Sequence, residues 1–451
     1  MANLSQKLKS HFHNRIDANM VEVIRGAGVA VVVKVLAAVL RFGVSVLLAR
    51  LLGVEGAGIY FLALTFVTIG MTVGRFGLDN TILRFVAAHS VRGEWGAVKE
   101  VYRKGIILSA LVSLLSTLIL MLIGPWLATS ALHKPELAVP LQWMSLSVFP
   151  MAMIFLHSEA LKALKQIRDS QLVNGVFLPL FTVCGLFFLA RPYGVTGAVW
   201  SYSLAAVFSA LAGRWIWRLK TRHVPVLDGS FSTSDLLQSA VPLLWVSLMA
   251  VVTNWSSTLF LGAWGSKIDV GVFGAALRTS MLTSFILTSV NSVVAPKFSA
   301  LYAKGDMAGI ERVARQSAKM MTFFASPLLI LFLTAPEWVM GIFGDGFKGG
   351  GLILTILAVG QFINVATGSV GYLLMMTGHE CLMRNNTIIV GSVSIVLGLI
   401  AIPLWGGVGA ALTTSFSLAI TNLAAFYLVW RKLKIWTLPI GGPGTGMCYE
   451  K

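Results

Sequence analysis

"VVVKVLAAVLRF", residues 31–42, reads as the middle of a membrane helix, yet it carries Lys34 and Arg41. A charge at the bilayer centre costs about 2.5–3.5 kcal/mol on insertion scales, so a lipid-spanning helix keeps one only for a reason. The rest of the chain supports the membrane reading. Hydrophobic residues make up 56% of it, charged residues 12%, and mean hydropathy is +0.81. A soluble chain would carry about 25% charge. Apolar windows long enough to cross a bilayer recur from end to end, and the polar connections between them are short. The sequence therefore predicts an all-α polytopic membrane protein with no room for a soluble domain.

Twelve hydrophobic segments stand out, at 26–50, 55–77, 105–128, 137–158, 171–190, 194–217, 236–263, 269–296, 317–342, 350–376, 383–404 and 407–430. Each is long enough to span as a helix at about 1.5 Å per residue. Many hold Gly, Ala, Ser and Thr, which let helices approach closely. Prolines within or near segments, at Pro150, Pro179, Pro242, Pro296 and Pro327, mark places that bend or simply pack. The first 25 residues are polar or mixed and end in no small-residue cleavage site, so the first segment is expected to be retained.

The chain has 35 Lys and Arg against 18 Asp and Glu, a net charge of +17. With both termini in the cytoplasm, the outside loops hold only Arg50, Lys134, Arg191, Lys267 and Lys348. The inside segments hold most of the rest, including "RLKTRH" (218–223), "KGDMAGIERVARQSAK" (304–319) and "RKLK" (431–434). This positive-inside bias sets the orientation. The basic surplus is thus topology and attraction to anionic headgroups, not a nucleic-acid surface. Cys184, Cys381 and Cys448 have no metal-ligand spacing and form no disulfide framework.

The sequence repeats at about 212 residues. "GIY" (58–60) corresponds to "GVF" (271–273), "GEWGAVKEVYR" (93–103) to "GDMAGIERVAR" (305–315), and "GVTGAVWSYSLA" (194–205) to "GGVGAALTTSFS" (406–417). Three collinear matches split the segments into six plus six. Six is even, so the halves are parallel repeats about an axis along the membrane normal. The expected layout is a segment 1–25, an N-lobe 26–217, a linker 218–234, a C-lobe 235–430 and a tail 431–451, with a central cleft between lobes. Short amphipathic helices on the cytoplasmic face are expected at 93–104 and 305–316.

Four basic residues, Lys34, Arg41, Arg75 and Arg278, fall inside segments, whereas every acidic residue falls in a loop or at a segment end. Lys34 and Arg41 are two turns apart on one helix face, about 10 Å. Arg75 can snorkel or pair with Asp79 one turn on; Arg41 and Arg278 are expected to face a water-filled cavity. A cationic cavity without carboxylates favours an anionic ligand, and the planar fork of Arg suits phosphate. Asn254 and Trp255 in "VTNWSS", Asn291 in "SVNSVV", and Gln361 and Asn364 in "GQFINVATG" could read sugar hydroxyls or tie helices together. No cofactor or metal site is expected.

"LLARLLGVEGAGIYFLALTFVTIGMTVGRFGLDNTILRFVA" (47–87) resembles the first two spans of the polysaccharide transporter family. These are the Wzx-type oligosaccharide flippases of the multidrug/oligosaccharidyl-lipid/polysaccharide exporter superfamily. "ALKALKQIRDSQLVN" (160–174), "GVTGAVWSYSLA" and "GVFGAALRTSMLTSFI" (271–286) resemble it too, and the likeness runs over about 26–434. The resemblance implies two six-helix lobes, a V-shaped cleft and cytoplasmic termini. It also implies movement of polyprenyl-pyrophosphate-linked oligosaccharide from the inner to the outer leaflet of the bacterial plasma membrane, for surface polysaccharide assembly. Cavity cations would engage the pyrophosphate, a role that Arg41 and Arg278 match in type and helix position and that Lys34 and Arg75 match more loosely. Multidrug exporters of the superfamily commonly keep a membrane carboxylate in the first spans, and this sequence has none. That weighs against the alternative of a small-molecule exporter and leaves the coupling ion open. A membrane enzyme acting on lipid-linked glycans would carry a long polar loop, and here "LHKPEL", with His133 and Glu136, is the only outside cluster of acid and histidine.

Overall fold

The computed structural model describes residues 18–222 and 231–439. The termini and the middle of the expected linker, with Cys448, lie outside the described residues. The described residues form helices and no strand. In order these are α1 (Ala18–Arg75), α2 (Leu78–Val91), α3 (Trp95–Trp126), α4 (Ala138–Ser145), α5 (Val148–Ala163), α6 (Ile167–Gln171), α7 (Leu178–Thr221), α8 (Thr233–Trp264), α9 (Lys267–Ala303), α10 (Met307–Thr334), α11 (Pro336–Gly341), α12 (Gly351–Ala366), α13 (Val370–Met376) and α14 (Glu380–Leu433). Among the described residues eight helical stretches are long and apolar enough to cross a membrane, or nine if the pair around α4 and α5, bent by 44°, is one span.

The three longest helices are each interrupted by one glycine in the left-handed region: Gly53 (φ 67°), Gly194 (φ 56°) and Gly406 (φ 52°). A side chain at such a φ is strained, so glycine is what lets the chain reverse there. The interruptions fall at the boundaries between segments that the hydropathy pattern separates. The expected short helices at 93–104 and 305–316 are not separate elements, because α3 and α10 each run on without a break into the following apolar segment. Nothing within them removes a ladder hydrogen bond at the junction, so the helix propagates.

The 212-residue period is visible in the backbone. Gly93 and Gly305 share positive φ (74° and 71°), as do Gly194 and Gly406 (56° and 52°). Gly197 and Gly409 each sit so close to the carbonyl eight residues earlier that a Cβ would lie 1.9 Å from Leu189 O or 2.1 Å from Ala401 O.

One buried core runs through the first half and into α8, α9 and α12, with Leu48, Tyr60, Phe61, Met144, Leu186, Phe273 and Leu357 inside it. A second cluster, including Val294, Phe298, Leu373 and Val429, closes only the far part of the second half. Large apolar side chains such as Leu122, Phe188 and Phe323 are strongly exposed, as a lipid-facing surface requires.

Contacts define two ends. At the end bearing Gly53, here called distal, the halves touch backbone to backbone. A Cβ on Gly58 would lie 2.1 Å from Lys267 O, and one on Gly271 would lie 2.2 Å from Val54 O, so α1 and α9 meet only because both positions are glycine. Arg50 Nε also donates to Ile342 O at 2.8 Å, and Lys267 Nζ reaches Glu136 (3.0 Å) and Glu55 (3.4 Å). At the opposite, proximal end, Phe231 packs edge-on to Phe85 with centroids 4.9 Å apart, and Lys104 Nζ donates to Phe231 O at 2.7 Å. There Gly77 lies tightly against the Ala240 carbonyl of α8.

Candidate functional site

Between the first half and α9 lies a cavity of about 580 Å³. Its wall includes Lys34, Arg41, Phe42 and Ser45 from α1, Tyr60, Phe61 and Thr68 beyond Gly53, and Met151 and Phe155 from α5. Gln171, Asn174 and Tyr202 complete the first half's side, and Arg278, Met281 and Phe285 of α9 form the other. Three cations and no carboxylate line it.

The helical period explains why Lys34 and Arg41 arrive together. Val33 and Ala37 of α1 are buried against Val176, which turns Lys34, one residue after Val33, and Arg41, four after Ala37, toward the cavity. Arg41 is exposed to the cavity space and is held from the side: its Nη2 donates to the carbonyl of Asn174 at 2.9 Å. Arg278 is half-buried. Its Nη1 donates to Gly274 O at 2.9 Å, one turn back on its own helix, and its guanidinium lies over the Phe61 ring at 3.8 Å. A cation over an aromatic face gains about 0.5–2 kcal/mol. Tyr60 and Tyr202, ring edge to ring face at 6.4 Å, are buried behind the arginines, and Tyr202 is within electrostatic reach of both. Neither arginine, nor Lys34, has an acidic partner among the described residues.

The other expected ligands lie elsewhere. Arg75 is outside the cavity wall. It pairs with Asp79 at 2.8 Å, donates to Thr72 Oγ1 at 3.1 Å and lies over the ring of Phe155 at 4.5 Å. Asn254 is exposed and donates to Ala250 O of its own helix at 2.7 Å. Asn291 is buried against Ser369, which donates to its side-chain oxygen. Gln361 accepts from Ser284, and Asn364 donates to both Ser284 Oγ and Gln361 Oε1 at 3.5 Å. These three bind α9 to α12 and to the turn before α13, within the second half. They are helix–helix hydrogen bonds, the commoner use of a polar group where no water competes. None of the four, nor Trp255, lines the cavity.

Sequence reading missed Tyr60, Phe61, Tyr202 and Asn174. The first three sit in apolar runs and look like ordinary core. The repeat units "GIY" and "GVTGAVWSYSLA", which carry Tyr60 and Tyr202, and the stretch "ALKALKQIRDSQLVN", which ends on Asn174, were the signals that could have found them.

Chemically, the wall offers guanidinium forks and an ammonium to an anion, and aromatic rings to apolar or sugar faces. It has no acid–base pair and no nucleophile poised beside a base. Among the described residues no group of His, Cys, Asp and Glu could hold a metal ion.

Comparison with known proteins agrees with this picture. The family model described as "Polysaccharide biosynthesis protein" matches residues 23–302. A probable low-salt glycan biosynthesis flippase, Agl15, of Haloferax volcanii is 25% identical over 390 residues, covering 83% of this chain and 80% of its own. Among solved structures, an inward-facing multidrug resistance MATE family transporter of the MOP superfamily superposes with a TM-score of 0.73 at 16% identity, covering 90% of this chain and 98% of its own. The lipid II flippase MurJ superposes with a TM-score of 0.66 at 16% identity, covering 88% and 86%.

Proposed function

The chain belongs to the polysaccharide biosynthesis protein family, and from that premise we propose that it is a flippase for an anionic lipid-linked oligosaccharide. The substrate is a polyprenyl-pyrophosphate glycan, carried from the inner to the outer leaflet of the plasma membrane. The observation that carries this reading is the joint placement of Arg41 and Arg278, with Lys34, in one cavity free of carboxylates. A diphosphate is the group that such a pair of forks binds best. The similarity to a glycan biosynthesis flippase supports the glycan part of the substrate.

The helix breaks support the expected twelve-span topology. Dividing the three interrupted helices at their glycines adds three spans to nine and makes twelve, six in each half. The proximal end, bearing Arg84, Arg92, Arg103, Lys162 and Arg218, then faces the cytoplasm by the positive-inside bias. In this reading both termini are cytoplasmic and the expected linker 218–234 connects the lobes. Rocking of the lobes about the cavity gives alternating access. The glycan and diphosphate ride in the cavity while the polyprenyl chain stays in lipid. The protein catalyses no covalent step. A small-molecule exporter is the second reading of the same fold; the carboxylate-free cavity disfavours cationic drugs.

The test is the leaflet location of lipid-linked oligosaccharide in cells lacking the gene, re-supplied with wild type, Arg41→Ala or Arg278→Ala. The expected result is accumulation on the cytoplasmic face that wild type clears and both variants, at normal membrane levels, do not. No accumulation overturns the flippase reading. Accumulation that both variants clear overturns the cavity assignment.

A further inference from the structure

The helix facing α1 changes its winding beside Arg41. Between α6 and α7, Leu172–Phe177 form a π-helical stretch. Such turns are wider than α turns and occur mostly as short insertions, often where a side chain must be served. In a π ladder each carbonyl accepts from the N–H five residues on. For Asn174 that residue is Pro179, which has no N–H. The widened ladder therefore stops on a carbonyl with no π donor, and Arg41 Nη2 occupies it at 2.9 Å. The approach is close by construction. The next residue is Gly175, where a Cβ would lie 2.9 Å from the Cβ of Ala37, one turn before Arg41. Arg41, Asn174, Gly175 and Pro179 all border the cavity.

A guanidinium has five N–H groups. One spent on Asn174 O fixes the plane of the fork and leaves four for a ligand. Arg278 is held differently, by an α-helical carbonyl one turn back and by a ring. Only the first arginine is hydrogen-bonded to a neighbouring helix.

We propose that Pro179, by ending the π turn on an unclaimed carbonyl at Asn174, is a positioning residue for Arg41. The role rests on the reading of Arg41 as a phosphate ligand. Any ordinary amino acid at 179 supplies an N–H that competes with Arg41 for the Asn174 carbonyl. Arg41 then loses its anchor while keeping its charge.

The experiment uses the full chain in lipid nanodiscs, with farnesyl pyrophosphate as the probe and binding followed by calorimetry. Wild type is compared with Arg41→Ala, Pro179→Ala and the double variant. A fifth protein carries lactate, the α-hydroxy analogue of alanine, at 179; its ester has no N–H, as proline has none. Arg41→Ala is expected to weaken binding about tenfold or more, and Pro179→Ala about three- to tenfold. The lactate protein is expected to bind like wild type. Pro179→Ala is expected to add nothing in the Arg41→Ala background, because a positioning residue acts only through its target. Binding by Pro179→Ala equal to wild type, loss in the lactate protein equal to that in Pro179→Ala, or an undiminished effect in the double variant overturns the positioning role. Equal binding by Arg41→Ala and wild type overturns the reading of the cavity itself, and the positioning role with it.

Discussion

The Lys134 ammonium, carried by the first half, donates to the carbonyl of Gly262 in the second half at 2.6 Å, and to that of Gly265 at 2.8 Å. Both carbonyls lie at the C-terminal end of α8, where the last turn of a helix has carbonyls without ladder partners and carries partial negative charge. Lys134 is buried there and so closes α8 from across the interface between halves. Desolvation pushes its ammonium below the usual lysine range, against a weaker upward pull from Asp269.

If the lobes part at the distal end, this contact must break. Lys134→Met removes the charged hydrogen bonds while keeping the apolar stem, and such bonds contribute about 1.5–3 kcal/mol each. The expected outcome is at least a tenfold shift toward distally separated states. Distances between spin labels at Val139 and Trp338, both exposed, read it directly. An unchanged distribution rules Lys134 out as a latch.

The glycine contact beside it predicts a steric phenotype. Gly58→Ala and Gly271→Ala each put a methyl group against backbone, where no side chain can yield. Each is expected to destabilise the closed form by about 1–3 kcal/mol. Lower thermal midpoints in detergent, with the double variant less affected than the sum of the singles, are the expected readout.

Arg278→Lys separates charge from shape. A lysine keeps the positive charge but loses the planar fork and the flat face over Phe61. Farnesyl pyrophosphate binding is expected to weaken about tenfold, nearly as much as in Arg278→Ala. Recovery by lysine to the wild-type affinity would mean that only the charge matters at this position.

Arg75 predicts the opposite split. Arg75→Ala strands the Asp79 carboxylate, which is only 13% exposed, and is expected to cost about 1–3 kcal/mol of stability. Ligand affinity is expected to stay within twofold of wild type, roughly the scatter of additive sites. Adding Asp79→Ala is expected to restore part of the stability, which a thermal melt of the three variants measures.

How far the sequence could be read is clearest at particular residues. Lys34, Arg41 and Arg278 were conspicuous because a membrane interior makes every charge expensive, and the structure gathers them in one cavity. Asn291, Gln361 and Asn364 stand out as polar groups in apolar segments, yet Asn291 is bound to Ser369 in the turn before α13 and the other two to Ser284 of α9, all within the second half. Depth along a helix is legible from hydropathy; the facing neighbour is not, because helix rotation and helix order both decide it. Arg75 shows the limit in reverse, since its local partner Asp79 is visible four residues on. The distal cations Arg50, Lys134 and Lys267 read only as sparse loop charge. Their cross-half carbonyl and carboxylate partners lie 128 or more residues away along the chain.

The backbone frame recurs at 212 residues, and the charges within it do not. The positions one period from Arg41 and Arg278 are Thr253 and Phe66. The two halves are thus a matched pair of brackets around an unmatched interior. A twofold-symmetric container could accept a cargo in either of two equivalent poses. A lopsided one admits a single pose, so a molecule with a charged head and an apolar tail enters the same way round on every passage.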